Sequence, residues 1–173
     1  IREVARRRIG EYPYPEQVAG ALAMHAGCVA EMATGEGKTL AAVLPAAFAA
    51  WRGRGCHVVA PNDYLARRDA RWMGPIYEFL GLRVAHISGE MPAAARRAAY
   101  AADVTYLSNK EVAADFLRDR LAVGRRGGLV PALLEEVRGV ARATTRVKLQ
   151  RGLECAIVDE ADSLLVDEAV TPL

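Results

Sequence analysis

A glycine-rich segment at residues 33–39 constrains the fold more than any other part of this sequence. It reads Ala-Thr-Gly-Glu-Gly-Lys-Thr and stands between an apolar stretch and an alanine-rich helical pattern. A turn of this kind closes backbone N–H groups around phosphate oxygens, while its lysine and hydroxyl reach phosphate and Mg²⁺. The following helix directs its positive N-terminal end at the same place. The segment therefore predicts the phosphate loop of an α/β domain.

A second signature, Asp-Glu-Ala-Asp at residues 159–162, follows an apolar Ala-Ile-Val run. At the end of a strand, Asp159 can hold the shell of a bound Mg²⁺ through water, and Glu160 can orient and deprotonate an attacking water. A short Gly-Lys-Thr run also occurs by chance, and Met32 replaces the first glycine of the common pattern. Two such motifs in one chain are unlikely to be a coincidence. Together they favour ATP hydrolysis over ATP binding alone.

These motifs assign a role to each candidate residue. Lys38 and Glu160 are the predicted catalytic residues, and Thr39 and Asp159 are the predicted Mg²⁺ ligands. The predicted nucleotide contacts are Thr34, Gly35, Glu36, Gly37, Lys38, Thr39 and Asp159.

Length and composition indicate one globular domain. The 173 residues can bury one substantial core, and no apolar run reaches the roughly 20 residues of a membrane-spanning helix. A net charge of +2 is too small to indicate a nucleic-acid partner. The three cysteines are far apart in sequence, which favours a reducing cytoplasm over a disulfide framework or a metal site. The first residues lack an initiator Met, so we expect a piece of a longer chain.

Apolar strands and helical patterns alternate along the chain, which predicts right-handed crossovers and a largely parallel sheet covered on both faces. Ligands of such sheets bind outside the carboxyl ends of the strands, where both motifs fall. Between residues 121 and 152 the pattern indicates a helical insertion, including an amphipathic stretch at 129–149. The predicted strands are 28–32, 56–60, 83–87, 104–107 and 156–158, and the predicted helices are 2–9, 16–25, 38–51, 64–80, 92–100 and 110–121.

The amino-acid sequences of several long segments resemble the first nucleotide-binding domain of the SecA family of protein-export ATPases. The resemblance covers nearly the whole chain and is carried by residues 30–40, 57–59, 62–70, 72–82, 100–106, 116–119 and 157–169. General DEAD-box helicases lack most of this wording. The resemblance implies a RecA-like, superfamily 2 helicase-type domain of three layers, in which residues 1–173 form the first lobe.

The resemblance also implies that Gln17, twenty-one residues before Lys38, reads the adenine base. Its amide can both donate to and accept from a base edge. Tyr14 is a neighbouring candidate for packing on the base. The alternative is an ordinary surface glutamine.

The function that the resemblance implies is a motor lobe that uses ATP and Mg²⁺ to drive preproteins through the SecY channel. Its partners would be the preprotein, the channel and a second RecA-like lobe of the same parent chain, with an anionic membrane surface as a further candidate and no specific nucleic acid. The implied location is the bacterial cytoplasm, peripherally on the inner membrane. A DEAD-type helicase lobe and a nucleotide-sensing module without transport activity are the alternatives.

Three departures from the family pattern point to a divergent member or a SecA-like paralogue. Val170 replaces an arginine, residues 107–114 are altered, and the insertion at 121–152 is long. Because the second lobe supplies arginines to the γ-phosphate in this family, we expect the isolated piece to hydrolyse ATP weakly or not at all.

Overall fold

A parallel sheet with helices on both faces organises the chain, which a computed structural model describes at residues 1–53, 55–124 and 148–167. Within those ranges the sheet has four strands, in the order β2-β3-β1-β4, and every pairing is parallel. The strands are β1 (Cys56–Ala60), β2 (Val84–His86), β3 (Val104–Ser108) and β4 (Ala156–Val158). The predicted α/β class and parallel sheet are confirmed.

Helices separate the strands along the chain. A π-helical turn at Ser163–Asp167 follows the acidic motif. The helices are α1 (Arg2–Ile9), α2 (Pro15–His25), α3 (Lys38–Trp51), α4 (Asp63–Phe79), α5 (Ala93–Tyr100) and α6 (Asn109–Gly124). The predicted helices therefore form, with ends shifted by a few residues.

Two apolar clusters on opposite faces of the sheet make the three layers. Successive strand residues point to opposite faces, so Val58 joins the cluster under α1, α3 and α4. Its neighbour Val59 joins the other cluster, with Tyr100 of α5 and the partly buried Val112 of α6. Both strands β1 and β3 are buried along their whole length, as expected of the centre of a parallel sheet.

The turn between β1 and α4 shows how local chemistry fixes the direction of a helix. Asn62 has an extended backbone, and its side-chain oxygen accepts a hydrogen bond from Leu65 N at 2.9 Å. This cap satisfies one of the free N–H groups at the start of α4. Asp63 then accepts from Gly89 N and from the hydroxyl of Ser108, which ties α4 to β3 and to the loop after β2.

The predicted strand at residues 28–32 does not form, and this prediction was wrong. The segment is irregular, and Val29 is 91% exposed. Val29 is its only β-branched residue, whereas Ala30, Glu31 and Met32 have no strand preference to hold them in a ladder. A cavity lies between this segment and β4, and the pairing of β4 is with β1.

The insertion predicted at 121–152 lies mostly outside the described residues. At its start, α6 continues to Gly124 rather than ending at residue 121. At its far end the backbone is not helical at Lys148 and Leu149, contrary to the predicted helical stretch at 129–149. There both carboxylate oxygens of Asp119 accept backbone N–H bonds, from Leu149 at 2.6 Å and from Gln150 at 2.9 Å. These bonds fasten the returning chain to α6. Val170 also lies outside the described residues.

Candidate functional site

The phosphate loop precedes α3 at the edge of the sheet where the parallel strands end. Gly35 and Gly37 have φ angles of 90° and 78°, in the left-handed region that favours glycine. The carbonyl of Gly37 accepts from Leu40 N and Ala41 N, both at 3.1 Å, so α3 begins immediately after it. The remaining N–H groups at the start of a helix can take an anion. Thr34 and Gly35 are exposed.

Lys38 and Glu160 form an ion pair that joins the two motifs. Lys38 Nζ lies 3.1 Å from Glu160 Oε1, and the two side chains are 30% and 45% exposed. The hydrogen bond with Glu160 raises the pKa of Lys38 above its ordinary value. A pair this exposed contributes at most about 1 kcal/mol to stability, so an incoming phosphate can displace it.

Asp159 extends the β1–β4 ladder, and its carboxylate accepts a hydrogen bond from the backbone of the next residue in the motif. Its N–H donates to Val59 O at 2.9 Å, and its Oδ1 accepts from Glu160 N at 3.0 Å. Burial, and then the negative charge of Glu160, raise the pKa of Asp159. Glu160 has φ 52°, a left-handed conformation that is uncommon for a residue with a side chain. The backbone therefore turns sharply between the predicted metal ligand and the predicted base.

Gln17 is buried against the phosphate loop. Its Nε2 donates to Glu36 O at 2.7 Å, and its Oε1 accepts from Tyr14 N at 2.9 Å. A methyl group placed on Gly37 would overlap the Gln17 amide. The residue is only 7% exposed, and so it is not an ordinary surface glutamine. It positions the loop here, and base recognition by Gln17 stays a prediction. Tyr14 is 67% exposed.

Glu36 braces the loop from within. Its Oε2 accepts from Ala33 N at 2.8 Å, and its N–H donates to Ala33 O at 3.2 Å. These two bonds close the turn that holds Thr34 and Gly35. Glu36 was predicted only as a nucleotide contact, whereas its side chain here stabilises the shape of the loop.

A cavity of about 730 Å³ lies beside the loop and brings predicted residues from both motifs together. This volume is within the range of small-molecule sites. The cavity extends from the phosphate loop along the edge of β4 rather than surrounding Gly35 and Gly37. Its polar lining includes Lys38, Thr39, Asp159, Glu160 and Asp162.

The donor set in this cavity fits a magnesium nucleotide. Mg²⁺ prefers oxygen ligands and is usually held by one or two protein groups together with substrate phosphates. The hydroxyl of Thr39 and the carboxylate of Asp159 are groups of this kind, and they line the same cavity as Lys38.

Asp69 is a residue of this cavity that the sequence did not reveal. It lies on α4, is 4% exposed, and accepts from Arg68 Nε at 2.7 Å. The negative charge of Asp69 is a further, smaller cause of the raised pKa of Asp159. A signal existed, because Asp69 follows Ala66 by three residues on the buried stripe of the helix. A charge in an apolar stripe indicates a buried partner or a site.

Comparison with known families matches residues 1–173 to the SecA DEAD-like domain. The chain belongs to this SecA family. It is 51% identical over 173 residues to protein translocase subunit SecA of Rubrobacter xylanophilus, covering all of this chain and 17% of the relative. It is 47% identical over 174 residues to protein translocase subunit SecA 2 of Magnetococcus marinus, covering all of this chain and 27% of that protein. The chain thus spans a minor part of the relatives' length.

A solved structure supports the fold of this SecA-type nucleotide-binding domain. A hypothetical ATP-dependent RNA helicase from Sulfolobus tokodaii superposes with a TM-score of 0.56 at 18% identity, covering 98% of this chain and 54% of the helicase. The likeness establishes the RecA-like, helicase-type fold. Across residues 1–53, 55–124 and 148–167, none of the helices combines the length and the apolar character needed to cross a bilayer.

Proposed function

We propose that this chain is the ATP-binding and ATP-hydrolysing lobe of a SecA-type motor that drives preproteins through the SecY channel. The observation that carries the proposal is the meeting of Lys38 and Thr39 with Asp159 and Glu160 in one cavity. Membership of the SecA family supplies the context. The sequence alternatives, a nucleic-acid helicase and a sensing module, are outcomes of the tests below.

In the proposed reaction, the partly exposed Lys38 exchanges its ion-pair partner. The γ-phosphate takes the place of the Glu160 carboxylate beside Nζ, and this exchange releases Glu160 toward the attacking water. Glu160 then orients that water and accepts its proton as the water oxygen bonds to phosphorus and the bond to ADP breaks. Binding of the substrate phosphate thus prepares the base.

The metal site in this proposal depends on the protonation of Asp159. Only the ionised carboxylate can take part in the metal shell with Thr39, and the raised pKa of Asp159 means that acidification protonates it at a higher pH than an ordinary aspartate. When bound, Mg²⁺ would neutralise part of the negative charge of the phosphates. The bond from Gln17 to Glu36 O keeps the loop in the shape that receives the phosphates.

The full motor in this proposal has further parts. A second RecA-like lobe of the parent chain closes over ATP, stabilises charge on the γ-phosphoryl group, and opens after hydrolysis. The preprotein and the SecY channel are the proposed partners, and the proposed location is the cytoplasmic side of the bacterial inner membrane. Anionic lipids there can add to the binding of the motor at the membrane. The relatives' names, which describe protein translocase subunits, support these partners.

The deciding experiment measures ATP turnover by the full-length protein that carries this chain. One arm contains SecY membranes and a signal-bearing preprotein, and the other contains RNA. We expect stimulation by membranes and preprotein. Stimulation by RNA alone would transfer the assignment to a nucleic-acid helicase, and an absence of turnover with retained ATP binding would transfer it to a sensing module.

Two variants test the assigned roles. Glu160→Gln should bind ATP but lose turnover by at least about 100-fold, since general acid–base catalysis contributes roughly that much or more. Lys38→Ala should weaken ATP binding itself. Glu78→Gln, an exposed carboxylate on α4, is the matched control. Wild-type turnover in Glu160→Gln would show that Glu160 is not the general base.

The separate expectation for the isolated piece has its own assay. Purified residues 1–173 should bind ATP and turn it over far more slowly than the full-length protein, because they lack the second lobe. Equal steady-state rates would contradict this account.

A further inference from the structure

Two cysteine side chains meet at the end of the sheet where β1 and β4 begin. Cys56 Sγ lies 3.7 Å from Cys155 Sγ and donates its thiol hydrogen toward it. Both are free thiols, distant in sequence from one another. Neither takes part in the proposed ATP reaction, which lies at the opposite ends of the same strands.

The backbone holds this pair in register. His57 lies opposite Ala156 in the parallel β1–β4 ladder, and His57 N donates to Cys155 O at 3.0 Å. Neighbouring strands are about 4.8 Å apart, and disulfide Cα–Cα distances run from about 4.4 to 6.8 Å. The sulfurs must approach to about 2.05 Å, which side-chain rotation can provide without separating the strands.

The two thiols differ in accessibility and reactivity. Cys56 is 1% exposed, whereas Cys155 is partly exposed. The hydrogen bond from Cys56 lowers the pKa of Cys155 to about 7, and the positive charge of Arg52 assists. The same hydrogen bond, together with burial, raises the pKa of Cys56. Cys155 is thus the attacking thiolate and Cys56 the resolving thiol, a division typical of redox-active pairs.

We propose that Cys56 and Cys155 form a reversible thiol–disulfide site for peroxide oxidants, a property beyond the proposed motor function. The Cys155 thiolate attacks one oxygen of hydrogen peroxide, the O–O bond breaks, and Cys155 becomes a sulfenic acid as the departing hydroxide takes a proton to form water. Cys56 sulfur then bonds to Cys155 sulfur, and its proton leaves with the sulfenic hydroxyl as a second water. Two thiols and one peroxide give one disulfide and two waters.

Peptide mass spectrometry of the full-length protein tests the site directly. Trypsin places the three cysteines of this sequence on separate peptides: Cys28 on 9–38, Cys56 on 55–67, and Cys155 on the peptide that begins at Gly152. After brief treatment with equimolar hydrogen peroxide and alkylation of remaining thiols, we expect the last two peptides to be linked, with two hydrogens lost. Dithiothreitol should release them.

Two cysteine variants test which thiols form the disulfide. Cys28→Ser is the matched control, because Cys28 is an exposed thiol on the irregular segment and should not affect the link. Cys56→Ser should abolish the link and leave a sulfenic acid on Cys155 that dimedone traps. Oxidation of Cys28 with no 56–155 link in folded wild-type protein would overturn the proposal, as would direct conversion of Cys155 to sulfinic acid. Because the readout is a peptide mass, it stands whether or not the protein hydrolyses ATP.

Discussion

Replacing Gly37 with alanine tests the contact between Gln17 and the phosphate loop. Gly37 has φ 78°, and a methyl group there would overlap the Gln17 amide, whereas a methyl on Gly35, at φ 90°, would meet no atom within 4 Å. Left-handed backbone costs an L-residue about 1–2 kcal/mol at either position. At Gly37 the hydrogen bond from Gln17 to Glu36 O is lost as well, which adds about 1 kcal/mol.

The assay is the affinity of the full-length protein for a fluorescent ATP analogue. An alanine loop relaxes from the observed shape, and binding must restore that shape. Gly35→Ala should therefore bind about 5–30-fold more weakly than wild type, and Gly37→Ala about 5-fold more weakly still. Adding Gln17→Ala to Gly37→Ala should cause little further loss, because both changes remove one interaction. Equal losses for the two glycine variants, or additive effects of Gln17→Ala and Gly37→Ala, would refute the role given to Gln17.

Three further predictions concern ionisable side chains that are buried or partly buried. Arg96→Met should lower the free energy of unfolding by about 3–5 kcal/mol in urea titrations, because Arg96 donates to the fully buried Asp115 at 2.9 Å; Arg97→Met, at its exposed neighbour, is the control. Burial, and then the charge of Arg151, lower the pKa of His57 to about 4, so the unfolded chain takes up a proton below pH 6.5 while the folded one does not. Stability from this residue is full above pH 6.5 and falls by about 2.5 kcal/mol on acidification to pH 4.5, a loss that His57→Leu should remove from pH-dependent urea unfolding. Because burial and Glu160 raise the pKa of Asp159, Mg²⁺-dependent nucleotide affinity should decline with falling pH at values above the ordinary Asp pKa of about 4, and titrations with Mg²⁺ or with EDTA measure this.

Each of these has a contradicting result. Equal losses for Arg96→Met and Arg97→Met would mean that the ion pair with Arg118, at 2.6 Å, is enough to stabilise Asp115 without Arg96. An unchanged acid response in His57→Leu would assign that response to other groups. A decline with pH that is the same in EDTA would exclude Asp159 as its source.

The sequence predicted the parts of the fold that rest on periodicity and on paired motifs. β1 and β3 are continuous buried runs between turns, and both formed within a residue or two of the predicted bounds. The motif pair fixed which residues would meet at the carboxyl edge, because parallel strands end together. Lys38 and Glu160 are 3.1 Å apart as a result.

Other features depend on contacts that no local pattern contains. The strand expected at 28–32 required a hydrogen-bonding neighbour, and a cavity lies between this segment and β4. Gln17 could be matched to a nucleotide role by family wording, yet its two bonds to Glu36 O and Tyr14 N depend on how α2 packs beside the loop. Asp69 reaches the cavity only because α4 crosses the sheet at this place. Tertiary packing decided each of these.

The ion pair between Lys38 and Glu160 spans 122 residues of chain. This separation determines how long after Lys38 the ribosome adds Glu160. At about 5–20 residues per second, a ribosome makes the phosphate loop roughly 6–24 s before it makes the glutamate. During that interval the loop and α3 can fold, but the lysine has no acidic partner. The proposed nucleotide site is therefore completed only when β4 emerges and docks beside β1. A nascent chain acquires Asp159 and Glu160, a proposed metal ligand and the proposed base, in one late step.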